Sequence, residues 1–285
     1  MRFLLAYFLL FYAGFCNSQE IAGYVKDHGS GQLMEFVNIG VVGKDIGTIS
    51  GLDGTFSLDL SKATDMDTLR FSFVGYEPFN LSVNHIRKSG FAKEITLKEK
   101  VVQLEEVIIT SNKLTPKTLG VRRSDCYPIP LYKKATSRIP FPQSGYRHEI
   151  GTFFANQQPI FLDSIECNFT SIQIDTVKLR VNIYAYVDGG FKNILSKPLY
   201  ISFHSSNESQ RIDISHLGIR LENDFLVSIE NYRRINDNSL NILANFKSKG
   251  KKYPTYYRRN TQSDWITLKS KSQDFGISFV AYVRE

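Results

Sequence analysis

A chain of 285 residues holds one large domain or two ordinary ones, and a hydrophobic content of 42% excludes a disordered chain. Phe and Tyr supply 36 residues against a single Trp, a composition that favours strands over helices. The net charge of +7 is uneven: residues 19–110 carry −4, residues 111–147 carry +7 and residues 148–285 carry +3, so the excess is mostly one short basic segment rather than a basic domain.

The chain opens on a candidate signal peptide, residues 1–18. Arg2 gives the positive start, and Phe3 to Phe15 is an apolar run too short to span a bilayer comfortably. Small residues at Cys16-Asn17-Ser18 suit a signal peptidase and would leave Gln19 as the new terminus. Phe15 fits poorly in front of a lipidated Cys16. No later segment is long and apolar enough to cross a membrane, so the mature protein is expected to be soluble or peripheral. Behind an export leader the basic segment points away from nucleic acid. Its expected counter-charges are anionic lipid headgroups, acidic glycans or the acidic first domain.

Residues 19–110 alternate with the two-residue period of half-buried strands. Phe56, Leu58 and Leu60 share one face of TFSLDL, and Leu69, Phe71 and Phe73 share one face of the next run. Asp53-Gly54 marks a tight turn ahead of the first of these, and Gly75 marks the end of the second. Strands are expected near 21–26, 36–42, 46–50, 54–60, 67–75, 79–83, 92–98 and 103–110, with His85 to Gly90 as a polar connector.

The segments Ile21–Asp27, Phe36–Ile39, Gly47–Ser50, Asp53–Leu58, Asp67–Tyr76 and Leu104–Val107, in that order and spacing, resemble the carboxypeptidase regulatory-like domain. That resemblance covers about a third of the chain. It implies a transthyretin-like, seven-stranded β-sandwich that serves as an accessory and holds no peptidase residues. The ending Leu104-Glu-Glu-Val107 also resembles the region ahead of the plug in TonB-dependent outer-membrane receptors, but the remaining residues are too few for a plug and a large barrel.

Residues 111–147 hold five of the nine prolines: Pro116, Pro128, Pro130, Pro140 and Pro142. Because proline lacks an amide donor and restricts its predecessor, no regular strand is expected there. Tyr127, Ile129 and Leu131 make an ordered strap against the second domain the expectation.

Residues 148–285 carry further short alternating runs between turns, a pattern of an all-β sandwich or jelly roll. In Leu179–Val187 the alternation puts Leu179, Val181, Ile183 and Ala185 inward and Arg180, Asn182, Tyr184 and Tyr186 outward. The arrangement of Arg180–Tyr184, Ile212–Ser215 and Phe225–Glu230 resembles the jelly-roll partner that follows the regulatory-like domain in some bacterial envelope proteins.

Catalytic signals are lacking. No His has Glu three residues on, as a carboxypeptidase zinc pair requires, and no serine elbow or phosphate-binding loop occurs. The aspartates at 53, 59, 65 and 67 lack calcium-loop spacing. No metal or cofactor is expected. Cys126 and Cys167 form a candidate disulfide, balanced against two separate thiols. The leading ligand-binding candidate is Lys252, Tyr253, Tyr256, Tyr257, Arg258 and Arg259, where cations interleave with rings. The competing reading is a hairpin whose tyrosines alternate into the core. Tyr184 and Tyr186 form a second candidate, and the single Trp265 argues against a Trp-lined sugar platform.

These features together give an expectation. The chain reads as a non-catalytic, exported protein of the periplasm or outer-membrane surface of a Gram-negative bacterium. Its first domain would scaffold, and its second would bind an envelope protein or glycan. An assembly role beside TonB-dependent transport, and a glycan hydrolase with carboxylates in a jelly-roll groove, are the alternatives.

Overall fold

The computed structural model describes residues 19–100, 114–122, 126–130, 148–170, 177–203, 209–230, 241–245, 252–270, 273–274 and 276–285. The strand expected at 103–110 lies outside these. In the N-terminal domain the strands are β1 (Glu20–Asp27), β2 (Asn38–Val41), β3 (Gly47–Ile49), β4 (Thr55–Asp59), β5 (Thr68–Ser72), β6 (Phe79–Ser82) and, after helix α1 (Val83–Ser89), β7 (Glu94–Leu97). They form two sheets, ordered β4-β1-β7 and β3-β2-β5-β6, with β7 running parallel to β1. This is the expected seven-stranded sandwich. Phe56 and Leu58 of β4 and Leu69 and Phe71 of β5 meet in its core as their alternation requires. Strand β2, apolar apart from Asn38, lies between β3 and β5 and is buried along its whole length. At the turn before β4, Gly54 takes φ +70, and the Asp53 carboxylate accepts from the Thr55 amide and hydroxyl.

Two local expectations are corrected. The polar connector around His85 is the helix α1. Val83 and Ile86 fall three residues apart on its buried face, and Arg87 and Lys88 occupy its last turn, where cations suit the helix dipole. With seven residues, it is too short for its period to stand out beside an adjoining strand. Strand β5 ends at Ser72 rather than at Gly75. Gly75, at φ +87, instead sits in a turn where an added Cβ would lie 2.2 Å from the Ser196 carbonyl oxygen of the second domain. Gly75→Ala is expected to cost about 2 kcal/mol, since it combines a disfavoured φ with a backbone clash. It should also make the junction between the domains more sensitive to limited proteolysis; an unchanged cleavage pattern would contradict this.

The second domain packs two larger sheets face to face. The strands are β8 (Pro116–Gly120), β9 (Tyr127–Pro130), β10 (Glu149–Phe154), β11 (Ile160–Thr170), β12 (Val177–Val187), β13 (Gly190–Asn193), β14 (Leu199–Phe203), β15 (Ser209–Asp213), β16 (Arg220–Leu221), β17 (Phe225–Glu230), β18 (Asn241–Asn245), β19 (Thr255–Arg258), β20 (Ile266–Thr267), β21 (Lys269–Ser270), β22 (Gln273–Asp274), β23 (Gly276–Ile277) and β24 (Phe279–Arg284). One sheet runs β13-β12-β17-β10-β19-β20, with β14 also on β12. The other runs β23-β18-β11-β24-β8, with β15 and β16 on β11 and β9 on β18. Ile150, Phe154, Val181, Ile183, Val227, Ile229 and Tyr257 from the first sheet meet Ile165, Cys167, Phe169, Phe279 and Ala281 from the second in one apolar core.

The proline-rich segment does contain regular strands. β8 pairs with β24 and β9 with β18, and among the described residues each has that one partner. Edge positions tolerate proline because one row of amides needs no partner there. Cys126 and Cys167 are free thiols, not a disulfide. Cys126 is half-buried with its thiol directed at the Arg122 carbonyl, whereas Cys167 is fully buried between sheets. Burial pushes the Cys126 thiol above its usual range and the Cys167 thiol well above it. Native protein at neutral pH should therefore alkylate slowly at Cys126 and not at Cys167, and both should react in denaturant. Two blocked thiols in denaturant without reductant would contradict the structure.

Candidate functional site

The register of the first sheet places four charged residues in one row across four adjacent strands. Arg180 on β12 lies opposite Glu230 on β17; Glu230 lies opposite Glu149 on β10; Glu149 lies opposite Arg258 on β19. Their side chains project from the face turned away from the apolar core. Arg180, Glu149 and Glu230 are nonetheless almost completely buried, and Arg258 is 8% exposed.

Every oxygen of the two carboxylates is engaged. Glu149 Oε2 accepts from Arg258 Nε at 2.8 Å and from Nη2. Its Oε1 accepts from Asn182 Nδ2 at 2.9 Å, from the Tyr184 hydroxyl at 2.9 Å and from the Ser228 hydroxyl. Glu230 Oε2 accepts from Arg180 Nε at 3.0 Å and Nη2 at 2.8 Å, and its Oε1 accepts from the Thr261 hydroxyl at 3.2 Å. The Asn182 amide also donates to Glu230 at 3.2 Å and so ties the two carboxylates together. Burial opposes the charge on both arginines. The neighbouring carboxylates outweigh it, Glu230 for Arg180 and Glu149 for Arg258, so both guanidinium groups are held protonated. Burial also raises the Tyr184 phenol well above its usual range.

The first domain closes this row from above. Arg180 Nη1 donates to the Phe36 carbonyl at 3.2 Å and Nη2 to Asn38 Oδ1 at 2.8 Å, and its guanidinium lies 5.9 Å from the centre of the Phe73 ring. The loop 259–263 adds backbone and amide contacts. Gly43 N donates to the Gln262 carbonyl, Asn260 Nδ2 to the Lys44 carbonyl, and Gln262 Nε2 to the Ser72 hydroxyl. Arg259 pairs with Asp45 at the exposed rim, where such a pair contributes little.

Beyond the charged row, the same face carries rings. Phe153, Tyr186, Phe191, Tyr256 and Trp265 form a connected cluster, with centroids 5.1 Å apart for Tyr186–Phe191, 5.2 Å for Phe191–Tyr256 and 5.6 Å for both Phe191–Trp265 and Phe153–Tyr256. Phe191 is on β13 and Tyr256 on β19, four strands apart in the sheet. In a flat sheet four steps span about 19 Å, so the sheet must curl and make this face concave. Tyr186 is 39% exposed, while Phe153, Phe191, Tyr256 and Trp265 are half-buried. The ring planes are inclined to one another, which gives a ridged surface rather than a flat platform. A cleft of about 420 Å³ adjoins it at the domain junction, lined by Gly43, Lys44, Asp45, Ile46, Arg258, Arg259, Asp264 and Ile266.

The six residues singled out in sequence do not share one surface. Tyr253 and Tyr257 point into the apolar core, as alternation along the hairpin requires. Arg258 is committed to Glu149, and Arg259 reaches the first domain. Lys252 is exposed, 5.3 Å over the Tyr253 ring. Tyr256 alone joins the concave cluster, together with Tyr186 from the second candidate. Tyr184 is buried rather than outward, because it donates to Glu149 and stands 5.6 Å from Trp265. Phe153 and Phe191 gave no signal in sequence, because a phenylalanine in a strand reads as core. Glu149 and Glu230 were equally hidden: their arginines are 109 and 50 positions away. Glu149 and Glu230 are buried and so do not themselves line an open cleft of the kind in which glycan hydrolysis pairs two carboxylates. Among the described residues no cluster of His, Cys, Asp and Glu is built to hold a metal ion, and no helix is long and apolar enough to cross a membrane.

No curated protein matches the chain. Among solved structures the chain is similar to the infectious bursal disease virus VP2 subviral particle, at 9% identity and a TM-score of 0.22, with 93% of this chain and 64% of that one covered. The chain thus spans less than two thirds of that protein, and a likeness this slight says nothing of fold or function. Residues 21–109 match the family model of the CarboxypepD_reg-like domain, and the N-terminal sandwich of this chain is therefore a domain of that regulatory, non-catalytic kind.

Proposed function

We propose that this is a non-catalytic, exported protein of the bacterial cell envelope in which the CarboxypepD_reg-like domain is a scaffold and the second sandwich binds an envelope partner. One observation carries the binding assignment: a connected cluster of rings, half-exposed on a concave sheet face, beside a charged row that is fully satisfied internally. Amphipathic rings with an apolar body and a polar tip are what binding surfaces concentrate. A carboxylate pair held by arginines, with every oxygen already accepting a hydrogen bond and buried beneath a neighbouring domain, is poorly placed for acid–base work. The polar centre is read as a joint and the aromatic face as the surface that meets a partner. The apolar leader at residues 3–15 supports export.

Co-sedimentation with isolated cell envelopes tests this reading. The exported protein should sediment with the envelope fraction. Tyr186→Ala combined with Phe191→Ala should reduce its retention about tenfold, as loss of two aromatic contacts at a binding surface implies. Met66→Ala, on an exposed loop of the first domain, should leave retention unchanged. Equal retention of all three proteins would remove the assignment of the aromatic face.

A further inference from the structure

We propose that the concave aromatic face is a binding site for a neutral carbohydrate, with Trp265, Tyr256 and Tyr186 as ring contacts and Asp264 as a hydrogen-bond acceptor. This rests on the partner-binding reading above and names the partner's chemistry.

Three polar tips point to it. The hydroxyls of Tyr186 and Tyr256 and the indole nitrogen of Trp265 have no hydrogen-bond partner among the described residues, although their rings pack on one another. The tyrosine of the joint differs: the Tyr184 hydroxyl is bonded on both sides, donating to Glu149 and accepting from Arg258. A row of unpartnered polar tips on apolar bodies fits a ligand that is itself apolar on its ring faces and hydroxylated at its rim.

Charge decides between neutral and anionic sugars. Among the described residues the cation against the Trp265 ring is Arg258, 4.3 Å from its centre, and its charge is neutralised by Glu149. In the adjoining cleft Lys44 pairs with Asp67 and Arg259 with Asp45. Asp264, next to Trp265, is the lining carboxylate without a partner among the described residues. Among the described residues the cations lining this surface are paired and Asp264 is the lining charge left unpaired; such a surface disfavours uronic acids, sulfated sugars and phosphates, and carboxylates readily accept from sugar hydroxyls. The ridged, inclined rings suit one or two sugar units seated toward the 420 Å³ cleft better than the flat side of a packed polymer. The site is continuous with the domain joint, since Trp265 lies between the rings and the loop 259–263 that holds the first domain.

Trp265 is the single tryptophan of the chain, so its fluorescence reports on this site alone. The full-length exported chain should be titrated with neutral cello-, xylo-, manno-, malto- and chito-oligosaccharides. At least one series should give a saturable change in Trp265 emission that is insensitive to salt. Tyr186→Ala should weaken that binding about tenfold, the scale of one lost aromatic contact. Tyr256→Phe, which keeps the ring and the fold, should weaken it by a smaller factor. No saturable response to any neutral series, while envelopes still retain the protein through Tyr186, would overturn the carbohydrate assignment and leave partner binding standing. Loss of envelope retention as well would overturn both. Saturation by acidic glycans alone, weakening with salt, or a Tyr186-dependent self-association seen by light scattering, would also overturn it.

Discussion

Glu149→Ala is expected to destabilise the second domain by about 3–5 kcal/mol, the cost of leaving one partner of a buried ion pair uncompensated. The alanine removes the acceptor of five hydrogen bonds and leaves Arg258 charged and 8% exposed, with Asn182, Tyr184 and Ser228 also losing their acceptor. Glu149→Gln should cost less, because its carboxamide oxygen still accepts. Replacing Glu149 by Leu and Arg258 by Met together should also cost less than Glu149→Ala, since no buried charge is then stranded. Guanidinium unfolding followed by Trp265 emission reads the second domain directly. Additive costs in the double variant would show that the two side chains do not act as a pair. Arg180→Ala carries a distinct signature. It strands Glu230 and also removes the donors to Phe36 and Asn38, so it should loosen the domain junction where Glu149→Ala does not.

The second large effect is on pH. His148 precedes Glu149 at the start of β10, is buried, and packs 5.9 Å from the ring centre of Tyr257. Burial lowers its pKa to about 4 from the ordinary 6.5. The neutral imidazole is thus favoured in the folded chain, while the unfolded chain takes up a proton below about 6.5. Its contribution is complete above that pH and is lost as pH falls toward about 4, a change of about 3 kcal/mol over the window. Stability measured between these limits should fall as the solution is acidified. His148→Gln, which cannot be protonated, should flatten that part of the profile. An equally steep profile in the variant would assign the acid sensitivity to other groups.

Much of the first domain was legible because its signals are local. The Asp53-Gly54 turn, the alternating Phe56-Leu58 and Leu69-Phe71 pairs and the apolar run of β2 each state their environment within a few residues. Helix α1 was missed because one turn of apolar spacing, Val83 to Ile86, resembles a polar connector. The strands β8 and β9 were missed because proline argues against strands in general but not against an edge.

The candidate site shows the opposite case. Alternation in β12 correctly separated Leu179, Val181 and Ile183 from Arg180, Asn182 and Tyr184, but it equated the polar set with solvent. That set is buried because β10, β17 and β19 bring Glu149, Glu230 and Arg258 alongside, and because Phe36 and Asn38 close over it from the other domain. Likewise Tyr186, Phe191, Tyr256 and Trp265 come together only through the curl of the sheet. By itself, the sequence determined the all-β class and the alternating strands of the first domain, together with that domain's family, since these follow from spacing along the chain. The tertiary structure alone decided which polar residues are joint and which rings are surface, since a side chain's burial depends on partners tens to more than a hundred residues away.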